Sequence, residues 1–362
     1  MSETARMGAG HAVATSQDVR PESWMVYLFS LINPVVVITG NSMGGVWTVM
    51  GFVFTLIIGP IIDVLLGATR TIRPPRESGT PLVVILWIHF MLHILVLGSL
   101  FALVIRDGWN LWVIVAAVST GLHSGAAGII IAHELGHAKP RSIHWWMAKI
   151  LLFSVHYTHF TTEHNHNHHK WVGTDRDPAS ARASESVYGF FLRTVPKQYA
   201  SAAGIQSRKG RKGLNNPIHQ GMILQITVIM ALVLSPVPWG GFVALAWFLQ
   251  AVVAVFLLEY ANYIRHYGLR RTEDERISRH HAWQSEALWS RWTLFDLTRH
   301  SHHHLEASAP FWKLRTWEDA PHLPVGYYGC FWVCMIPPLW KRWMRTKLSV
   351  CHAASESASA RN

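Results

Sequence analysis

Six stretches of this chain, residues 24–39, 45–67, 82–105, 111–131, 222–239 and 242–263, come near the roughly 20 apolar residues that cross a bilayer core. No other feature narrows the fold as much. In hydrocarbon a backbone must satisfy its own N–H and C=O groups, and apolar runs of this length do so as helices. The composition agrees, with half of the 362 residues hydrophobic and only 15% charged. The expected fold is therefore all-α, a polytopic membrane protein of about six transmembrane helices, arranged as three hairpins. The first run contains Asn33 and Pro34, which leave its ends the least defined.

The polar segment 1–22 lacks the apolar core and small-residue cleavage site of a signal peptide and is expected to be a disordered tail. Residues 23–345 are expected to form one membrane-embedded domain, and 346–362 a second disordered tail. Lys and Arg in short loops set orientation. Arg70, Arg73 and Arg76 follow the second run, and Lys139, Arg141 and Lys149 follow the fourth. Both termini, the long connection 132–219 and the segment after 264 are thereby expected on the cytoplasmic face of the cell's inner membrane. The net charge of +11 reads as a basic rim against anionic lipid, with a part left to dock an acidic electron carrier; nucleic acid is not an expected partner.

Histidines crowd into those same regions. His133 and His137 lie four apart in HELGH, directly after an apolar run; His164, His168 and His169 lie in EHNHNHH, and His300, His303 and His304 in RHSHHH. Side chains three and four apart share a helical face, so each cluster can direct imidazoles toward one place. A ninth candidate is His266, at the end of the last run, where an ionisable group suggests function. Nine imidazoles exceed the capacity of one ion and suit two, each with four to six ligands. Imidazole accepts Zn, Cu, Fe or Ni, and spacing alone does not choose among them. HELGH also fits the HExxH of zinc proteases, but the histidine count exceeds what such a site uses.

A coordinating imidazole usually gives its other N–H to a carboxylate or carbonyl. Glu134, Glu163, Asp177, Glu259 and Asp296 are near enough in sequence to do so. His166 and His302 fall between better-spaced candidates, and His89, His93 and His123 lie inside spans, where packing or hydrogen bonding is the expected role. Trp47, Phe52 and Phe54 are candidates to line a route for an apolar molecule. Cys330, Cys334 and Cys351 form no CxxC pair, so the chain has no cysteine-ligated redox site and any electrons must come from another protein.

With HELGH (133–137), EHNHNHHK (163–170), DPASAR (177–182), NYIRHYGL (262–269), RHSHHH (299–304) and LPVGY (323–327), the chain resembles the membrane alkane monooxygenases over about residues 24–345. The resemblance implies an alkane 1-monooxygenase with two irons in a non-haem di-iron site, held by His133, His137, His164, His168, His169, His266, His300, His303 and His304. It implies O2 as co-substrate, insertion of one oxygen atom into the terminal C–H bond of a medium- or long-chain alkane, and a primary alcohol as product. Electrons would come from rubredoxin with its NAD(P)H-dependent rubredoxin reductase, and the hydrocarbon substrate from the bilayer. Arg265 stands where the family usually has Glu, Ala138 where it has Lys, and residues 280–285 read HHAWQS in place of HHSWNS. The alternatives are a xylene or cymene methyl hydroxylase, a fatty-acid desaturase and, outside enzymes, a membrane metal transporter.

Overall fold

The computed structural model describes residues 20–69, 71 and 73–359. Five helices are long and apolar enough to cross a membrane: α1 Trp24–Met43, α2 Gly45–Leu66, α3 Thr80–Asp107, α4 Leu111–Gly136 and α9 Gly240–His266. A sixth apolar helix, α8 Pro217–Val233, has 17 residues, at the lower limit for a span. Five of the apolar runs are helical nearly throughout, whereas the fifth, 222–239, is helical only to Val233 and passes into a turn over 234–239, where Pro236 and Pro238 cannot continue a helix; among the described residues there are two isolated bridges and no strands. The protein is a multi-pass membrane protein. Asn33 and Pro34 do not break α1, which starts as a 3-10 helix and turns α-helical at Ile32. Proline is harmless there because the first turn of an α-helix leaves its N–H groups without intrahelical partners.

Glycine and capping residues make the hairpins. Gly44 (φ 72°) separates α1 from α2, and Gly108 (φ 65°) ends α3, both in the left-handed region that L side chains resist. Asn110 then caps α4, its side-chain oxygen accepting from the N–H groups of Trp112 and Val113. Val35, Leu65, Met91, Leu95, Leu224 and Phe248 are exposed on the outer faces of these helices, as lipid solvation permits. The α4 window is 72% buried against 28–39% for the first three spans, which makes α4 the central helix. Its Gly121 and Gly125 allow α9 to approach so closely that an added Cβ would stand 2.5 Å from the Gln250 carbonyl oxygen and 2.9 Å from that of Ala254.

Further helices, all but α7 short, gather at the end of the bundle where α4 and α9 finish: α5 Ile143–Ser154, α6 at 160–171, α7 Val187–Arg208, α10 Leu288–Thr293, α11 His300–Leu305 and α12 Tyr327–Cys334. Asp63, inside α2, fastens this cap to the spans. Its Oδ1 accepts from the N–H and hydroxyl of Ser290, and its Oδ2 from the Gly329 N–H. Most of the expected N-terminal tail, 1–19, lies outside the described residues, as does Arg70. Residues 20–22 are packed: the Glu22 carboxylate is 3.2 Å from the buried Arg291, and its carbonyl accepts from Arg76.

The C-terminal expectation needs correction, because the last helix, α13 Pro337–Ser359, runs through most of the segment expected to be disordered from 346. Trp340, Met344 and Leu348 form a buried stripe at helical spacing, and Trp340 packs on Tyr263 and Tyr267. That stripe extends beyond 345, so burial continues past the expected boundary.

Candidate metal centre

Four helices supply the imidazoles. His133 and His137 stand at the end of α4, His164, His168 and His169 on α6, His266 on the last turn of α9, and His300, His303 and His304 on α11. They converge as two groups, each with its ligand atoms within 4.8 Å of one another: His133, His137, His164, His169 and His303 in the first, His168, His266, His300 and His304 in the second. All nine histidines singled out by spacing are included. His166 is exposed, His302 stacks on Trp317, and neither belongs to a group.

The division into five and four follows from local helix geometry. Successive α-helical residues diverge by about 100°. His300 and His304, four apart, therefore face one group, while His303 turns to the other. On α6 the turn at His164–His168 is a π-helix, in which the His169 N–H reaches the His164 carbonyl five residues back. In a regular α-helix residues five apart would diverge by about 140°. The wider turn brings His164 and His169 together and points His168 to the second group. A π-turn at Ser124–Gly128 also precedes the α4 histidines.

Ring nitrogens meet at distances that suit a shared ion. His164 Nε2 lies 2.8 Å from His133 Nε2 and 2.9 Å from His169 Nε2; His300 Nε2 lies 3.1 Å from both His266 Nε2 and His304 Nε2. Two ligands at ~2.1 Å from a metal and at right angles to each other are ~3.0 Å apart. His137 Nε2, His168 Nε2 and His303 Nε2 are buried without a hydrogen-bond partner, as nitrogens reserved for a metal would be. Burial holds the side chains of His164, His169, His300, His303 and His304 well below the ordinary histidine pKa and pushes His137 down to about 4. The neutral imidazole, the form that coordinates, is thereby favoured.

His168 differs. Burial lowers its pKa, but Asp177, whose Oδ2 is 2.9 Å from His168 Nδ1, outweighs burial and raises it. Asp177 is held in turn by Ser180 Oγ and the Ala179 N–H. It is the one member of the five acids that hydrogen-bonds a histidine of either group among the described residues. Glu134 accepts from the Phe311 N–H, Glu163 from Asn167, and Glu259 from Tyr157, Gln198 and Asn262. Asp296 accepts from Tyr27 and Arg291. These four tie the cap together rather than orient imidazoles directly. Both groups consist of imidazole alone, with no carboxylate in the donor set.

His89, His93 and His123 lie deep among the spans, bound to Ser30, Ser154 and Asn33. A narrow apolar cavity of about 60 Å³ opens beside the cap, bounded by α2, α4, α9 and α12. From α2 its walls take Thr55 and Leu56, not Trp47, Phe52 or Phe54; Trp47 is half exposed, and Phe54 packs edge-on to Trp289. Thr55 and Leu56 escape sequence reading because neither residue type marks a lining position. Asp63 could have been found as the lone carboxylate of its span.

Comparison with known proteins adds an independent observation. The profile of the family described as fatty acid desaturase matches residues 111–332, a stretch that encloses all nine histidines. The chain is 34% identical to alkane 1-monooxygenase 1 of Pseudomonas aeruginosa over 83% of its own length and 82% of that protein. It is also 34% identical to alkane 1-monooxygenase 1 of Alcanivorax borkumensis, over 88% of its length and 83% of that protein. A xylene/toluene monooxygenase hydroxylase component of Pseudomonas putida matches at 28% identity over 60% of the chain and 59% of that protein.

Proposed function

The chain belongs to the fatty acid desaturase family and, through relatives that match most of its length, to the alkane 1-monooxygenases, and on that premise we propose that it hydroxylates the terminal carbon of medium- or long-chain alkanes. The reaction balances as RH + O2 + 2 e⁻ + 2 H⁺ giving ROH + H2O. The observation that carries the reading is the convergence of nine imidazoles into two groups beside an apolar cavity among the spans. A transporter would distribute ligands through the membrane thickness, whereas these gather at one end of the bundle.

The nine histidines are proposed to hold two ions, five imidazoles on one and four on the other. Iron is the proposed metal, because imidazole suits it and oxygen activation needs a redox ion with room for O2. The protein's part is geometry and dryness. The π-turn of α6 aims His164 and His169 at one ion and His168 at the other, Asp177 fixes the His168 ring, and the lipid-level cavity brings a hydrocarbon from the bilayer without exposing it to water. Electrons are proposed to come from rubredoxin and its NAD(P)H-dependent reductase, since Cys330, Cys334 and Cys351 are free and form no redox pair. The packed chain from Arg20 through the α13 stripe at Leu348 is proposed to act as one domain in the cell's inner membrane. The basic loop residues Arg73, Arg76, Lys139 and Arg141 support a cytoplasmic placement for the histidine end.

The test supplies iron-loaded protein with rubredoxin, reductase, NADH and O2, then identifies products from alkanes of several lengths and from toluene and xylene. A 1-alkanol is expected, with turnover abolished in His168→Ala and His303→Ala. Bound zinc without any oxygen-dependent product would overturn the reading. Hydroxylation of the aromatic methyl groups alone would reassign the substrate.

A further inference from the structure

The cavity among the spans has one cationic end. Leu56, Ala126, Leu257 and Phe331 supply apolar wall, while Arg265 and Tyr327 close the side facing the cap. Arg265 is only 6% exposed, and among the described residues no carboxylate lies within ion-pair distance of it. Its one side-chain hydrogen bond among the described residues runs from Nε to the Tyr327 hydroxyl at 3.0 Å, with the guanidinium carbon 5.1 Å from the centre of that ring. The Nη groups are left to donate. Because the Tyr327 oxygen accepts from Arg265, its own O–H is also free to donate into the same space.

The free groups at the Arg265–Tyr327 end are donors, two Nη groups and one phenol O–H beside a positive charge, which favours an oxyanion. A buried guanidinium is costly without a counter-charge, and its planar fork matches a carboxylate. The rest of the wall is mainly hydrocarbon, with the hydroxyls of Thr55, Tyr260 and Tyr328 the exceptions, and the lining residues Leu257 and Ala261 of the span α9 are part exposed, which gives the cavity a side toward lipid. We propose that the cavity binds a medium-chain alkanoate, its carboxylate on Arg265 and Tyr327 and its tail running past Leu257 and Ala261 toward the bilayer. The anion occupies the space a hydrocarbon would use and so competes with it. The volume of about 60 Å³ accommodates the head and first carbons, leaving the rest of the tail to the lipid-facing opening. The inference rests on the proposed function only in taking this cavity as the hydrocarbon's.

The experiment measures equilibrium binding of radiolabelled octanoate to the metal-loaded protein in phosphatidylcholine nanodiscs, with metal content determined in every sample. Octylamine, 1-octanol and acetate serve as competitors. Octanoate is expected to bind and to be displaced far better by unlabelled octanoate than by octylamine or acetate. Arg265→Gln should weaken it at least about tenfold, with Arg265→Lys between the two. Equal displacement by octylamine shows that the charge is not read; equal displacement by acetate shows that the apolar wall is not used. Either result overturns the proposal, as does unchanged affinity in Arg265→Gln at full metal content, which would place the carboxylate elsewhere. If Arg265→Gln does not fold, Tyr327→Phe and the competitor series on the unaltered protein decide the matter. Octane turnover is measured separately: its absence with octanoate binding intact sinks the proposed reaction alone, and the reverse pattern sinks this inference alone.

Discussion

Asp177 ties the His168 ring to the DPASAR turn, since its Oδ2 takes the bond from His168 Nδ1 while Ser180 and Ala179 hold the carboxylate still. Replacing it with Asn preserves size and removes the charge that makes His168 a stronger donor. Asp177→Asn is expected to lower metal affinity about 10–100-fold in the four-histidine group and leave the five-histidine group filled. Competitive chelation would read this as one weakened ion out of two. A different carboxylate governs stability. Asp296 lies between Arg291 and Arg299, and although burial pushes its pKa up, the two guanidinium groups outweigh burial and hold it below the usual carboxylate value. A depressed folded-state pKa stabilises fully above the unfolded value of about 3.9, and that contribution is lost as pH falls through the folded value. Asp296→Asn should therefore cost about 1–3 kcal/mol at neutral pH, where Arg291 loses the nearest of its carboxylates but keeps Glu22 and Glu286, and the gap from the unaltered protein should narrow below about pH 4. Thermal inactivation midpoints at pH 7 and at acid pH would check both the size and the sign.

Helices convert these residue-level contacts into a site, and the approach of α4 to α9 is the step most open to mutation. Each helix carries a candidate ligand at the same end, His133 on α4 and His266 on α9, and these belong to different groups. A methyl group at Gly121 would stand 2.5 Å from the Gln250 carbonyl oxygen and 2.6 Å from Val253 Cβ, so the helices would have to separate. At Gly98 of α3 the same methyl group meets nothing within 4 Å. Gly121→Ala is expected to destabilise by about 1–3 kcal/mol and reduce bound metal, whereas Gly98→Ala should be neutral or stabilise by up to about 1 kcal/mol. Thermal midpoints and metal content of the two variants provide the check. This contrast also marks how far the sequence was legible. The six apolar runs and nine histidines could be read from length and spacing, which are local properties. The division of those histidines could not, because His169 joins His164 through a π-turn that the string EHNHNHH does not reveal. Glu134, Glu163, Glu259 and Asp296 were near the histidines in sequence yet found other partners, since proximity along a chain does not fix direction. The expected boundary at 345 falls short because the Ser- and Ala-rich sequence after it masks a stripe that continues through Leu348.

Across the whole molecule the two histidine groups join parts that differ in how they hold themselves together. The spans α3, α4 and α9 are long, apolar and packed on one another, so their hydrogen bonds form within each helix and need no ion. The segments 160–171 and His300–Leu305 are short, and six of the nine proposed ligands lie on them. Helices of this length are marginal alone and depend on tertiary contacts. Binding two ions would therefore contribute stability mainly to the cap, where metal affinity and folding are linked. Chelation should accordingly loosen the cap and spare the bundle. Hydrogen exchange on metal-free protein in nanodiscs is expected to rise by an order of magnitude or more at 160–171 and 300–305, and to change little in the membrane-embedded parts of α3, α4 and α9. Restoring iron should reverse the difference. Equal loosening of spans and cap would mean that the ions hold the entire bundle, and no change at either place would show that the imidazoles are already fixed by packing alone.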